Sequence, residues 1–184
     1  MATNLTNSDY PFNWAALKAM VHYVTRRYAM SPEKLGAVKL HKILWFTEIA
    51  AVRKTGKSIT GETFIKHDFG PFSTHLENIV AELKREGNLT VQPGEDDSES
   101  TLFVGKGFPD QDSLTDEQWR LLERWMENVV ENHSATSISD LSHDELWEAT
   151  EPYQPMSLDA AALRFVKPPK HVEAEIAKRI AALK

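Results

Sequence analysis

The stretch from Ile43 to Val52 constrains the fold more than any other part of this sequence. All of its residues are apolar except Thr47 and Glu48. If the stretch is helical, apolar side chains cover most of the circumference, so other elements must pack around nearly all of it. Gly56 supplies a natural C-terminal stop shortly afterwards. The sequence therefore predicts a central buried helix that the rest of the domain surrounds.

Capping residues and apolar steps of three and four predict about six further helices around the central one. Ser31 is the predicted N-cap of the central helix, and Pro32 is its first-turn proline. Thr115 and Gln118 fit a capping box at the start of a later helix. The further helices are predicted at residues 14–28, 72–86, from 116 onward, 137–147, 157–166 and 172–183.

Short runs of β-branched and aromatic residues predict a minor β component. Residues 58–66 are predicted as a strand or extended segment that Gly70-Pro71 breaks, with Pro71 fixing the first turn of the next helix. Residues 89–91 and 101–104 are predicted to form a hairpin around an acidic turn. The predicted fold class is mainly α, about seven helices with a small antiparallel β-hairpin, in a single compact domain.

The chain is predicted to divide into three segments. Residues 1–10 form a polar, disordered lead-in, residues 11–166 form the helical domain, and residues 167–184 form a proline linker with an amphipathic helix. No run approaches the roughly 18 apolar residues of a membrane span, so no membrane contact is expected. The first residues lack the features of a secretion signal, and the predicted location is cytoplasmic.

Charge is unevenly distributed along the chain, whose net value is −6. Residues 1–57 carry +6, residues 91–160 carry −14, and residues 161–184 carry +4. Either these blocks neutralise one another within the fold, or an acidic face steers a basic partner toward the protein. Neither alternative favours broad nucleic-acid binding, which usually requires a net basic domain.

Residue types that serve catalysis are present without the spacing that catalysis requires. The chain has no cysteine, which excludes thiol chemistry and thiolate metal sites. His67, Asp68 and His75 match none of the compact metal signatures, and the polar cluster at His143 suits a helix start. There is no serine nucleophile elbow, phosphate loop or dinucleotide fingerprint. We therefore expect no enzymatic activity, no cofactor and no metal.

The run from Val38 to Phe46 carries a more specific signal. Its lysines and leucines are followed by an aromatic pair, at the positions Lys39, Leu40, Lys42, Leu44, Trp45 and Phe46. This run resembles the opening helix motif of the Panacea domain of SocA-like antitoxins, with Ile43 as a mild replacement for leucine. The small-residue helix end at Thr55-Gly56-Lys57 is similar to the next family feature.

Two later motifs extend the resemblance, which covers residues 14–147. Phe69-Gly70-Pro71-Phe72 resembles the family's aromatic–glycine–proline–aliphatic turn, although tyrosine is usual at position 69 and valine at position 72. His67 lies near a position where the family often carries tryptophan. Leu141-Ser142-His143 and the following Trp147 resemble the family's C-terminal serine–histidine and tryptophan pair.

The resemblance implies a binding protein, namely an antitoxin that covers the active surface of a cognate protein toxin. A few family members instead act as adaptors that present the toxin to a protease. The competing hypothesis is a phage- or host-encoded regulator that binds protein or DNA. DNA is disfavoured because the predicted hairpin turn carries four carboxylates, which would repel phosphates: Glu95, Asp96, Asp97 and Glu99.

Two surfaces are the predicted partner-binding candidates. One is the turn region at residues 69–75, and the other is the C-terminal amphipathic segment, which a proline linker would let dock in trans. The candidate contact residues are Phe69, Phe72 and His75 in the first surface, and His171, Ile176 and Ile180 in the second. In the alternative interpretation, the two phenylalanines belong to the core and the tail packs back on its own domain.

Lys39 and Lys42 lie three residues apart and therefore share one face of the predicted central helix. Either both are simply solvated, or they pair with a carboxylate or with backbone carbonyls, for example at the glycine–proline turn. Trp147 is expected to be a packing residue that holds the last part of the domain in place.

Overall fold

A computed structural model describes residues 10–94 and 101–163 of the chain. The described residues contain seven α-helices, five strands and a short 3-10 helix at Pro32–Lys34. The helices are α1 (Trp14–Arg27), α2 (Gly36–Thr55), α3 (Leu76–Arg85), α4 (Asp116–Asn132), α5 (Ala135–Ser142), α6 (Glu145–Ala149) and α7 (Leu158–Leu163). The strands are β1 (Phe64–His67), β2 (Gly70–Ser73), β3 (Leu89–Pro93), β4 (Thr101–Gly105) and β5 (Pro155–Met156). The fold is mainly α with small antiparallel sheets, as predicted.

Helix α2 lies at the centre of the domain, which confirms the prediction from its apolar run. Every residue from Leu40 to Ile49 is buried, and α4, α5, α7 and the strand β2 all pack against the helix. Gly56 ends it in a left-handed conformation, with φ of 69°, and donates its N–H to Val52 O at 2.8 Å. Because so many elements share one helix, its side chains position most of the fold.

The buried carboxylate of Glu48 ties α2 to the segment that follows it. It accepts four hydrogen bonds, from the hydroxyls of Ser58 and Thr60 at 2.5 and 2.6 Å and from the N–H groups of Ile59 and Thr60 at 2.8 and 2.9 Å. Burial raises the pKa of Glu48, and the same four donors lower it in part. A buried carboxylate is tolerated here because its lone pairs are satisfied.

Gly70 and Pro71 lie in a β-strand. The prediction that Pro71 fixes the first turn of the next helix was therefore wrong. Gly70 to Ser73 form β2, which pairs antiparallel with β1 in a sheet of order β2-β1-β5, and α3 begins only at Leu76. Proline lacks an N–H and is confined to edge strands. Pro71 satisfies this rule because β2 lies at the edge of the sheet, opposite Lys66 of β1.

Two predicted helix starts were also wrong. Ser31 makes no side-chain capping bond; residues 32–34 form a 3-10 turn, and α2 starts later, at Gly36. Ser137 is not a helix start but the third residue of α5, where its hydroxyl completes a capping box with Ser134. The predicted helix at 137–147 is two helices, because Asp144 caps the separate helix α6.

Other local predictions were correct. β3 and β4 form the predicted antiparallel hairpin, Thr115 and Gln118 form the predicted capping box, and Ser157 caps α7 through the N–H of Ala160. None of the described helices has the length and apolar character needed to span a membrane. Residues 1–9 of the predicted lead-in, the acidic turn at 95–100 and the tail from 164 onward lie outside the described residues, whereas Tyr10 is described and donates its hydroxyl to Asp159 Oδ1 at 2.6 Å.

Replacement of the buried carboxylate should destabilise the fold. In Glu48→Gln, an amide NH₂ would face donors that now have a carboxylate oxygen, so we expect a loss of about 2–3 kcal/mol in the free energy of unfolding. Urea denaturation measures this loss. Glu127→Gln, on the exposed side of α4, is the matched control and should change stability by less than about 0.5 kcal/mol. Equal effects of the two changes would contradict the role assigned to Glu48.

Candidate functional site

The turn between β1 and β2 projects one large apolar side chain into solvent. His67 pairs with Gly70 across the hairpin, so Asp68 and Phe69 form its tip. Phe69 is 63% exposed, whereas Gly70 and Pro71 behind it are buried. The turn that resembles the family motif therefore exposes an aromatic side chain at its tip, whereas the backbone that follows it is buried.

Three side chains hold the backbone of this turn through alternate carbonyl groups. Lys42 Nζ donates to Pro71 O at 3.1 Å, Ser139 Oγ to Phe69 O at 3.0 Å, and Trp147 Nε1 to His67 O at 3.1 Å. We refer to Lys42, Ser139 and Trp147 as the clamp residues. They come from α2, α5 and α6, so three helices fix the position of one short turn.

Glycine is required at position 70, where the side chains of Lys42 and Ser142 contact the turn. Its φ is +95°, and a Cβ at this position would collide with Ser142 Oγ and Lys42 Nζ. Ser142 is itself buried and donates its hydroxyl to Ser139 O at 2.7 Å. The predicted motif residues Gly70, Lys42 and Ser142 therefore meet at one point, and that point has no room for a larger residue.

Burial determines the protonation of the two α2 side chains that reach β2. Lys42 is 2% exposed, and desolvation lowers the pKa of its amine to about 7. His41 Nδ1 accepts the N–H of Ser73 at 3.0 Å, which requires an unprotonated nitrogen. Burial, followed by the nearby charge of Lys42, lowers the pKa of His41 to about 3. His41 is therefore neutral under physiological conditions.

Trp147 does more than fill space, which extends the prediction that it is a packing residue. Its ring stacks on His143 with centroids 3.9 Å apart, and Lys66 Nζ lies 4.2 Å from its ring centroid. Lys66 also donates to Thr150 O at 2.8 Å. Burial lowers the pKa of His143, and the charges of Lys42 and Lys66 contribute. These contacts connect α6 to the hairpin from the side.

Both lysines of the α2 motif bind backbone carbonyls, which decides between the alternatives that the sequence left open. Lys42 binds the glycine–proline strand, and Lys39 Nζ donates to Val130 O near the end of α4 at 3.1 Å. Neither is simply solvated. The apolar motif residues behave as core, because four of them are buried in α2: Leu40, Leu44, Trp45 and Phe46.

The structure divides the predicted partner-binding residues into three groups. Phe69 is exposed. Phe72 and His75 are half-buried: the ring of Phe72 lies 4.0 Å from that of His41, and His75 Nδ1 lies 2.9 Å from Glu62 Oε2. The third group lies outside the described residues and comprises His171, Ile176 and Ile180.

Two important polar residues were not found from the sequence. Ser139 supplies a clamp bond, and the only local signal for it was its spacing of three from Ser142 on one helix face. The buried carboxylate of Glu62 accepts from Ser73 Oγ, from Thr74 Oγ1 and from the His75 N–H, at 3.0, 3.1 and 3.1 Å. Glu62 thereby organises the entry to α3.

The histidines near the turn make packing contacts and belong to no metal site in the described part of the chain. No group of three or more histidine, aspartate and glutamate side chains there has a geometry that could hold a metal ion. His67 and His75 are instead engaged in ring contacts, with Phe72 and Phe12 respectively. Structurally, the region is a clamped turn on a helical scaffold.

The fold and the site define a mainly helical domain with a clamped glycine–proline turn, and comparison with known proteins identifies the family. The model of the family described as "Antitoxin SocA-like, Panacea domain" matches residues 40–148, which is more than half of the chain. The protein belongs to this family. No curated protein and no solved structure matches the chain. The matched region contains α2 from Leu40 onward, the turn and all three clamp residues.

Adding a methyl group at Gly70 should disrupt the clamp. Gly70→Ala would combine an unfavourable positive φ with a collision against Ser142 and Lys42, so we expect a loss of about 3 kcal/mol or more in the free energy of unfolding. Gly36→Ala is the control, since Gly36 has a φ of +60° and its added Cβ would meet nothing within 4 Å. That variant should lose only about 1 kcal/mol. Similar losses in urea denaturation would contradict the tight packing at Gly70.

Lys42 should make stability depend on pH. Its folded-state pKa of about 7 lies below the usual 10.5, so the unfolded chain binds more protons between these values. Stability contributed by this group should therefore rise with pH through that window, by at most about 1.4 kcal/mol for each pH unit. Lys42→Met should abolish this slope, and Lys84→Met, at an exposed position in α3, should retain it. Parallel pH profiles for Lys42→Met and the unmodified protein would contradict the prediction.

Proposed function

We propose that this protein is the antitoxin of a toxin–antitoxin system and neutralises a cognate protein toxin by direct binding. Membership of the SocA-like Panacea family supports the role, and the observation that carries the mechanism is the exposed Phe69 on a clamped turn. We infer that the protein acts by binding alone, without catalysis or a cofactor, and that it acts in the cytoplasm.

The clamped turn is suited to binding because its conformation is already fixed. Association costs free energy when loops and side chains lose freedom, and a preorganised contact surface reduces that cost. Lys42, Ser139 and Trp147 fix the backbone on which Phe69 stands. An exposed aromatic side chain on a rigid support is the kind of residue that anchors a protein interface of about 1,600 Å².

Among the predicted contact residues of this surface, we assign direct contact to Phe69 and a supporting role to the other two. Phe72 lies against His41 and His67, with ring centroids 4.0 and 5.2 Å apart. His75 stacks on Phe12 at 4.3 Å. Both side chains are already engaged within the domain, so their replacement would affect binding mainly through the shape of the turn.

Co-expression tests the proposed function. The protein encoded by the gene's neighbour should arrest growth when produced alone, and co-production of the antitoxin should restore growth. Phe69→Asp should lose protection, because a charge would replace the apolar anchor. Phe108→Asp is the matched control, since Phe108 is 94% exposed on a different loop, and it should protect fully. Failure of the unmodified protein to protect would refute the antitoxin role.

The C-terminal segment is the second predicted surface, and a truncation separates it from the turn. A chain that ends before Lys167 should be compared with the full chain for affinity toward the same purified toxin. Undiminished affinity would remove residues 167–184 from consideration, and a large loss would assign them a share of the interface. Immunoblots of the toxin during rescue distinguish masking, in which the toxin persists, from presentation to a protease, in which it disappears.

A further inference from the structure

Three of the seven large apolar side chains that are exposed in the described residues lie on the clamped turn or on segments bonded to its hairpin. Phe69 is 63% exposed, Leu141 48% and Tyr153 55%. They lie on the turn itself, on α5 and on the segment before β5, and each of the latter two forms a hydrogen bond to the β1–β2 hairpin. The contacts are Ser139 Oγ to Phe69 O at 3.0 Å and the Tyr153 N–H to Lys66 O at 2.9 Å. We call Phe69, Leu141 and Tyr153, with the exposed residues next to them, the turn surface.

The same segments carry exposed carboxylates that are not neutralised. Asp68 adjoins Phe69, Asp140 adjoins Leu141, and Glu148 and Glu151 flank the loop that leads to Tyr153. Within residues 10–94 and 101–163, none of these four carboxylates has an ion pair. The nearby amine of Lys66 is bound to the carbonyl of Thr150 instead.

Helix α4 shows the contrasting arrangement. Its Glu117 pairs with Lys54 at 2.5 Å, its Glu131 with Lys34 at 3.5 Å, and its Glu123 accepts a hydrogen bond from Tyr23 at 2.6 Å. Part of the acidic block at residues 91–160 is therefore engaged within the fold. The part around the turn surface retains its negative charge toward solvent, which favours the second alternative for the charge distribution at this surface.

We propose that the turn surface binds a basic protein surface of the toxin, with Phe69 seated in an apolar recess between lysine and arginine side chains. This inference rests on the proposed antitoxin function and specifies the chemistry of its partner. Four exposed carboxylates on the same segments as the exposed apolar side chains complement such a surface in both charge and polarity. The same carboxylates repel phosphate groups, so a nucleic acid is not the ligand of this surface.

The carboxylates of the turn surface and its aromatic anchor Phe69 contribute to binding in different ways. Exposed charges at the rim of an interface act over distance, so they mainly raise the association rate and lose influence as salt is added. A buried aromatic anchor acts only after contact, so it mainly slows dissociation. The proposal therefore predicts different kinetic effects for carboxylate variants and for Phe69 variants.

Association kinetics with the purified neighbour-encoded toxin test the charge component. Asp68→Asn with Asp140→Asn should lower the association rate about three- to tenfold at an ionic strength of about 0.1 M, where the Debye length is about 10 Å, and the difference should vanish near 1 M salt. Asp112→Asn with Asp116→Asn removes the same charge at the start of α4, beside Glu117, which pairs with Lys54. Lys54 lies about 18 Å along α2 from Lys42, so this control should change the rate less than twofold.

Site-specific crosslinking tests the apolar component. A photoreactive benzoylphenylalanine in place of Phe69 should crosslink to the toxin, within a peptide that contains lysine or arginine beside apolar residues. The same group in place of Phe108 should not crosslink. In parallel, Phe69→Ala should speed dissociation at least tenfold with little change in the association rate.

The outcomes distinguish this inference from the function on which it depends. If the protein binds and neutralises the toxin but the carboxylate double variant associates like the unmodified protein at low salt, the basic-partner inference is wrong and the antitoxin role stands. A crosslink from position 69 to an acidic peptide, or none at all in a formed complex, would have the same consequence. Absence of any binding would refute both.

Discussion

The hydrogen bond from the buried amine of Lys42 to Pro71 O fixes the geometry on which the rest of the site depends. It joins the central helix to the strand behind the exposed turn, across 29 residues of chain. A buried amine costs free energy, and the lowered pKa of Lys42 reflects that cost. The cost is tolerable because the same side chain satisfies a carbonyl of an edge strand that contains proline.

Three buried side chains of the central helix bind backbone groups of the segment that follows it. Glu48 holds residues 58–60, Lys42 holds Pro71, and His41 holds the N–H of Ser73. The segment after α2 therefore folds back along the helix toward its N-terminal half and is fixed there by buried polar bonds. This arrangement explains why a helix with an almost continuous apolar surface carries three buried ionisable residues. Each holds a stretch of backbone that has few regular partners of its own.

Elements that are fixed by local interactions were predicted from the sequence, whereas features that depend on residues distant in the chain were missed. Helices α1 and α4 were predicted well, because apolar periodicity and capping boxes are local signals. The strand at Gly70–Ser73 was missed, because proline usually breaks structure and only the neighbouring β1 makes an edge strand possible. Ser139 was missed because its partner, Phe69 O, lies 70 residues away in sequence. Lys42 was recognised as a motif residue, but its burial depended on packing that spacing alone does not reveal.

The motif residues and the proposed binding residues have different physical requirements. Lys42, Gly70 and Ser142 are buried and mutually dependent, so a change in one disturbs the others. Phe69 differs, because its clamp bond goes from Ser139 Oγ to its backbone carbonyl and its side chain is exposed, so that side chain can change without loss of the clamp. The phenylalanine at position 69 carries no hydroxyl that would need a partner when buried, and this favours the fully apolar recess that we propose.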